Sequence, residues 1–199
     1  MRYRLFALVA TSLLWPQLAF SETTFDATVE RSGRVVSGSV VLPVSAEQVW
    51  QALAIDYDRV ALSHPRMTRS VYKGASTVGG LGAERICYFN GRESRYLHEE
   101  IVYFNANSME MTNSVTEAKG VPLDTTDAKA LYSVEALAGS SSRLTVEMTI
   151  LARPRFITGI VARQFEDVLS DFFLAFAHHL TTGEVVNRDN FAEIEAEYR

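Results

Sequence analysis

The run RFITGIVARQFEDVLSDFFLAFAHHLTTG, residues 155–183, restricts the folds open to this chain more than any other stretch. Ile157, Val161, Phe165, Val168, Phe172 and Phe176 recur at spacings of three and four, which lines them along one face of a helix. A second apolar line through Ile160, Leu169, Phe173 and Leu180 widens that face and leaves few positions for water. Gly183 follows the run and supplies the residue that most readily takes the left-handed turn closing a helix. A helix this long and aromatic gains its stability from packing, so it requires a large apolar surface to lie on.

The preceding residues predict that surface. VVSGSVVLP reads as a strand with Val36, Val40 and Leu42 on one side. The period then changes: Ser45 with Gln48 three residues later is a capping-box pattern, and Val49, Trp50, Leu53 and Ala54 form a short buried face. Residues 56–62 read as a second short helix stopped at Ser63-His64-Pro65. MTRSVYKG is a strand candidate, and strand-like runs follow at 83–90, 95–105, 108–116, 128–138 and 143–153. Asn90-Gly91, Asn105-Ala106-Asn107 and Gly139-Ser140 break them with turn chemistry. Short strands without intervening helices make an antiparallel meander. In the last run Leu144, Val146, Met148 and Ile150 alternate with polar residues, and Met109, Met111 and Val115 do likewise in an earlier one. The fold class expected is α+β: a curved antiparallel sheet of six to seven strands, two short helices, and one long C-terminal helix packed across it.

The opening residues stand apart. Arg2 and Arg4, an apolar stretch from Leu5 to Trp15, and Ala19-Phe20-Ser21 have the order of a cleavable secretory leader. We therefore expect a signal peptide at 1–21, a single domain at 22–183, a C-terminal extension at 184–199, and a periplasmic or secreted product without a membrane anchor after cleavage. Loss of Arg2 and Arg4 takes the net charge from −5 to −7. That acidic balance, with no basic run, argues against nucleic acid as a partner, because phosphate neutralisation dominates such binding. The single cysteine, Cys87, rules out an internal disulfide.

Chemistry-bearing motifs are sparse. The glycine-rich residues 75–82 lack the lysine and spacing of a phosphate cradle. There is no G-x-S-x-G elbow and no H-E-x-x-H pair. His178 and His179 are adjacent, so they diverge by about 100° around a helix and cannot grip one metal ion together. No metal, no cofactor and no catalytic set is expected. Cys87 reads as an inert packed thiol and His64 as a capped, solvated loop residue. His98 and Tyr132 remain ionisable candidates on strands.

The stretches PVSAEQVWQALAIDYDRV, SHPRMTRSVYKG and GLGAERICYF, in that order between a first strand and a long last helix, resemble the SRPBCC or START-like superfamily. Within it the chain is similar to the polyketide cyclase/dehydrase and lipid-transport branch, with its birch-pollen-allergen-like helix-grip fold. The resemblance spans about residues 34–183. It implies a deep apolar cavity between sheet and helix that holds a lipid or polycyclic molecule. Relatives often carry an arginine after the glycine-rich loop and a glutamate on the next strand, which match Arg85 and Glu100 here. Adjacent strands allow those two to pair.

The ligand-binding set expected is accordingly Arg85 and Glu100 for polar contacts, together with Tyr132. Met109, Met111 and Met148 offer adaptable thioethers, and Phe165, Val168 and Phe172 come from the helix. Two functions follow: a non-catalytic binder, carrier or sensor of a hydrophobic small molecule or lipid, or a cyclase/aromatase-type enzyme using general acid–base chemistry on a polyketide-like substrate. The absence of a recognisable catalytic set favours the first. A third, weaker reading is an interaction module whose tail, residues 184–199, docks a protein partner that the sequence does not identify.

Overall fold

The computed structural model describes residues 25–198. The expected leader lies outside the described residues. Eight strands form one antiparallel sheet: β1 (Ala27–Ser32), β2 (Val35–Leu42), β3 (Arg69–Tyr72), β4 (Glu84–Tyr88), β5 (Tyr96–Asn105), β6 (Glu110–Lys119), β7 (Lys129–Ala136) and β8 (Ser142–Thr149). Their order across the sheet is β1-β2-β8-β7-β6-β5-β4-β3. The count exceeds the six to seven expected because residues 27–32, not expected as a strand, pair with β2 as a hairpin. Gly33 takes φ +61 and turns the chain between the two strands.

Between β2 and β3 the capping box forms as its spacing predicts: the Ser45 hydroxyl accepts from the Gln48 N–H while the Gln48 side chain accepts from the Ser45 N–H. It starts helix α1 (Ala46–Trp50), which runs on as a wider π-type turn over Gln51–Ile55. A 3₁₀ turn over Tyr57–Leu62 then replaces the second short helix expected there. Val49, Trp50, Leu53 and Ala54 are all buried.

Two irregularities bend the sheet. Pairing of β5 with β6 shifts between His98 and Glu99 and again between Ile101 and Tyr103. The first leaves Thr116 as an extra residue on β6; the second leaves Val102 extra on β5. Each bulge deepens the local twist. The second also reverses which side of β5 faces inward: Leu97, Glu99 and Ile101 point to the core, Val102 and Tyr103 are exposed, and Phe104 packs inside against Trp50.

The long helix α2 (Thr158–Thr182) crosses the concave face and ends on Gly183 at φ 77, with the Gly183 N–H donating to the His179 carbonyl. It does not lie centrally. Gly38 on β2 would place a Cβ only 2.9 Å from Phe173 Cε2, so the absence of a side chain lets α2 settle onto the β1–β2 hairpin. An Arg31–Glu166 ion pair of 3.0 Å holds the same edge. One flank of α2 thus packs solidly through Ala162 and Phe173, while Phe165, Val168 and Phe172 on the next flank face open space. Ile160, expected in the buried face, is 64% exposed, because the helix reaches beyond the sheet at its first turn.

The segment after Gly183 is docked. Val186 is fully buried, its N–H donates to the Leu62 carbonyl at 2.9 Å, and helix α3 (Phe191–Glu197) buries Ile194 against Ala175. Tyr198 Oη and His178 Nδ1 lie 3.1 Å apart. The helical spacing of Phe191, Ile194 and Tyr198 puts all three on the side that packs with Ala175 and Val186.

Candidate functional site

Seating α2 on β1 and β2 leaves a cavity of about 640 Å³ between its free flank and the inner face of β4–β8. That volume lies within the usual range for small-molecule sites. The apolar wall comes from Leu97, Val146 and Met148 on strands and from Val161, Phe165 and Phe172 on α2. Phe172 stacks on Phe176 at 5.3 Å, which fixes its ring as part of that wall.

The floor is polar. Arg85, 3% exposed, pairs with Glu99, 8% exposed. Arg85 Nε and Nη2 both lie 2.7 Å from Glu99 Oε2, Nη1 donates to the Tyr57 carbonyl at 2.7 Å, and the guanidinium sits 3.8 Å from the centre of the Tyr57 ring. Every face of the cation is therefore met by charge, dipole or π-cloud. Burial opposes the Arg85 charge, but Tyr57 and Glu99 outweigh it and keep the group cationic. Among the described residues, the bonds to Glu99 all fall on Oε2 and leave Oε1 open.

Other polar groups surround the pair. Burial, reinforced by the Glu99 charge, pushes the Tyr132 phenol far above its ordinary value, so it stays a neutral donor. Burial does the same to Tyr57. Asn113 stands beside both phenols, yet its Nδ2 and the Tyr57 Oη fall short of bonding geometry and are buried without a partner. The Cys87 thiol is pushed up to about 12 by burial, which leaves it unreactive, as the sequence implies. His64 is pushed down to about 3 by burial and by the charges of Arg66 and Arg85. Its Nδ1 accepts from the Arg66 N–H at 3.2 Å, so the ring is neutral with its proton on Nε2.

Of the nine residues expected at the site, Arg85, Tyr132, Met148, Phe165, Val168 and Phe172 all line the cavity. Three do not. Glu100 lies opposite Glu84 on the outer face; the register sets Arg85 opposite Glu99 instead. The alternation Leu97, Glu99, Ile101 carried that information, since a carboxylate between two apolar residues at spacing two shares their face. Met111 is buried in the packed core, and Met109 sits at φ 51 in the β5–β6 turn, away from the cavity. His64 is buried on the cavity wall rather than solvated, because α2 closes over its loop and brings Phe172 to 5.8 Å. His98 is buried on the opposite face, 2.9 Å from Lys73 Nζ. Among the described residues no cluster of His, Cys, Asp or Glu could hold a metal ion. No helix among them is long and apolar enough to cross a membrane.

The profile of the polyketide cyclase/dehydrase and lipid-transport family matches residues 34–181. The chain belongs to this family. Solved structures share the fold at low identity. The protein XoxI from Bacillus cereus superposes with a TM-score of 0.61 at 18% identity, covering 74% of this chain and 96% of that one. Ara h 8.0201 gives 0.58 at 14% identity, covering 79% and 99%. A START superfamily protein from Mycobacterium smegmatis gives 0.58 at 14%, covering 75% and 98%. No curated protein matches the chain. The family match stops at residue 181, so Val186, Arg188 and α3 lie beyond it.

Proposed function

We propose that this protein binds a hydrophobic or amphiphilic small molecule in the cavity beneath α2 and performs no chemistry on it. The observation that carries the reading is the composition of the cavity: a largely apolar wall over a polar floor whose one buried cation and one buried anion neutralise each other. Apolar burial at about 25 cal/mol per Å² holds a lipid-like body without polar help. Tyr132 Oη and Glu99 Oε1 offer a donor and an acceptor for one uncharged polar group. Membership of a family described by lipid transport supports the same reading.

Arg85, Glu99 and Tyr132 also converge as an acid–base reading requires. Binding is favoured over catalysis because Glu99 is bound to Arg85, Tyr132 is held far from neutrality as an acid, and His64 at about 3 is a feeble base. The leader-like residues 1–21 support a periplasmic or secreted setting, which N-terminal sequencing of the exported product tests by beginning at Glu22.

Native mass spectrometry of protein isolated from its own cells is expected to show an added small-molecule mass that organic extraction removes. Val146→Trp, which fills the cavity, is expected to lose that mass while remaining folded. A wild-type protein that carries nothing and takes up no long-chain alcohol overturns the proposal.

A further inference from the structure

A second cavity, of about 590 Å³, lies between the 3₁₀ turn and β3 on one side and the segment after α2 on the other. Four arginines line it: Arg59, Arg66, Arg69 and Arg188. Two are committed. Arg66 bonds Asp171 at 2.6 and 3.0 Å, and Arg69 bonds Glu93 at 2.6 Å with its guanidinium 4.8 Å from the Tyr88 ring. Arg59 and Arg188 form no ion pair among the described residues, although Asp58 and Asp189 share the chamber. Asp58 and Asp189 match them in number, so what the chamber offers is two guanidinium groups with open donors rather than a net positive charge.

The two cavities adjoin. Arg66, Met67 and Arg188 line both of them. Arg188 is held at that junction by its neighbours on either side. Val186 is locked to Leu62, Asn187 Oδ1 accepts from the Asp189 N–H at 2.8 Å, and Asn190 Oδ1 accepts from the Asn187 N–H at 2.8 Å. The docked tail therefore does more than cover Ala175; it carries a cation to the mouth of the apolar space.

We propose that the two cavities form one amphiphile site, with an anionic oxygen group (carboxylate, sulfate or phosphate) in the arginine-lined chamber and the apolar body beneath α2. The inference rests on the cavity reading above and names the ligand class for it. Guanidinium groups suit such oxygens through paired N–H donors. The tail after Gly183 is then part of the binding site, since it supplies Arg188.

The test uses three probes: dodecyl phosphate below its micelle-forming concentration, dodecanol of the same chain length within its solubility, and inorganic phosphate. Isothermal titration compares the wild-type protein with the Arg59→Gln/Arg188→Gln variant. Both side chains are exposed and unbonded, so the variant is expected to melt with the wild type. Wild-type protein is expected to bind dodecyl phosphate more tightly than dodecanol. The variant should lose about three- to tenfold in affinity for dodecyl phosphate, as two partly solvated pairs would give, with dodecanol unchanged. A preference that survives in the variant overturns the inference and leaves the cavity reading standing. Inorganic phosphate binding as tightly as dodecyl phosphate also overturns it, marking a free-anion site. If neither dodecyl compound binds, the cavity reading itself falls and this one with it.

Discussion

Replacing Glu99 by leucine removes the one carboxylate that offsets the buried charge of Arg85. The guanidinium would keep the Tyr57 carbonyl at 2.7 Å and the Tyr57 ring at 3.8 Å, but lose both contacts to Oε2. At 3% exposure Arg85 cannot turn to water without dragging β4 apart. Breaking one side of a buried pair costs about 3–5 kcal/mol, a large share of the roughly 5–15 kcal/mol that holds a typical domain together. With a urea dependence of about 2 kcal/mol per M, the unfolding midpoint should fall by about 1.5–2.5 M. Arg85→Met combined with Glu99→Leu removes both charges and fills the space with apolar atoms. That double variant should recover most of the loss, since replacing a whole buried pair by apolar groups is often neutral. The assay is urea unfolding followed by circular dichroism for the wild type, both single variants and the double. A Glu99→Leu midpoint within about 0.5 M of wild type, or a double variant as unstable as the two singles added, would refute the claim that the pair acts as one neutral unit.

His64 predicts a pH dependence. Its folded-state value of about 3 lies below the ordinary 6.5, so the unfolded chain takes up a proton that the folded chain refuses. Stability is unaffected above about pH 7 and falls by up to about 1.4 kcal/mol per unit as pH drops from 6.5 toward 3. His64→Leu should flatten that slope between pH 6.5 and 5; an unchanged slope would show that the ring is protonated in place. Gly38→Ala puts a Cβ 2.5 Å from the Thr28 carbonyl oxygen and 2.9 Å from Phe173, so α2 must lift from β2 at a cost of about 1–3 kcal/mol. A melting temperature within a degree of wild type would refute that close approach.

Periodicity determined the helices and most strands. The 3.6-residue spacing of Val161, Phe172 and Phe176 and the left-handed stop at Gly183 are local properties, and α2 ends where they place its end. The Ser45–Gln48 cap is equally local. Six of the nine expected site residues reached the cavity for the same reason, since strand alternation and helix stripes decide which face a side chain shows. Met109 failed because its positive φ in the turn ends the alternation, and Met111 because the inner face it shows is filled by core side chains at that point.

What the tertiary structure alone decided is where space was left. The missing side chain of Gly38 lets α2 settle to one side, and that offset makes Phe165 and Val168 a wall rather than a core. Closure of α2 over residues 63–67 buried His64. Docking of Val186 beside Leu62 carried Arg188 to the mouth. Each depends on distances between residues far apart in the chain. Local pattern fixes the direction of a side chain, but only the packing of separate elements fixes what it meets.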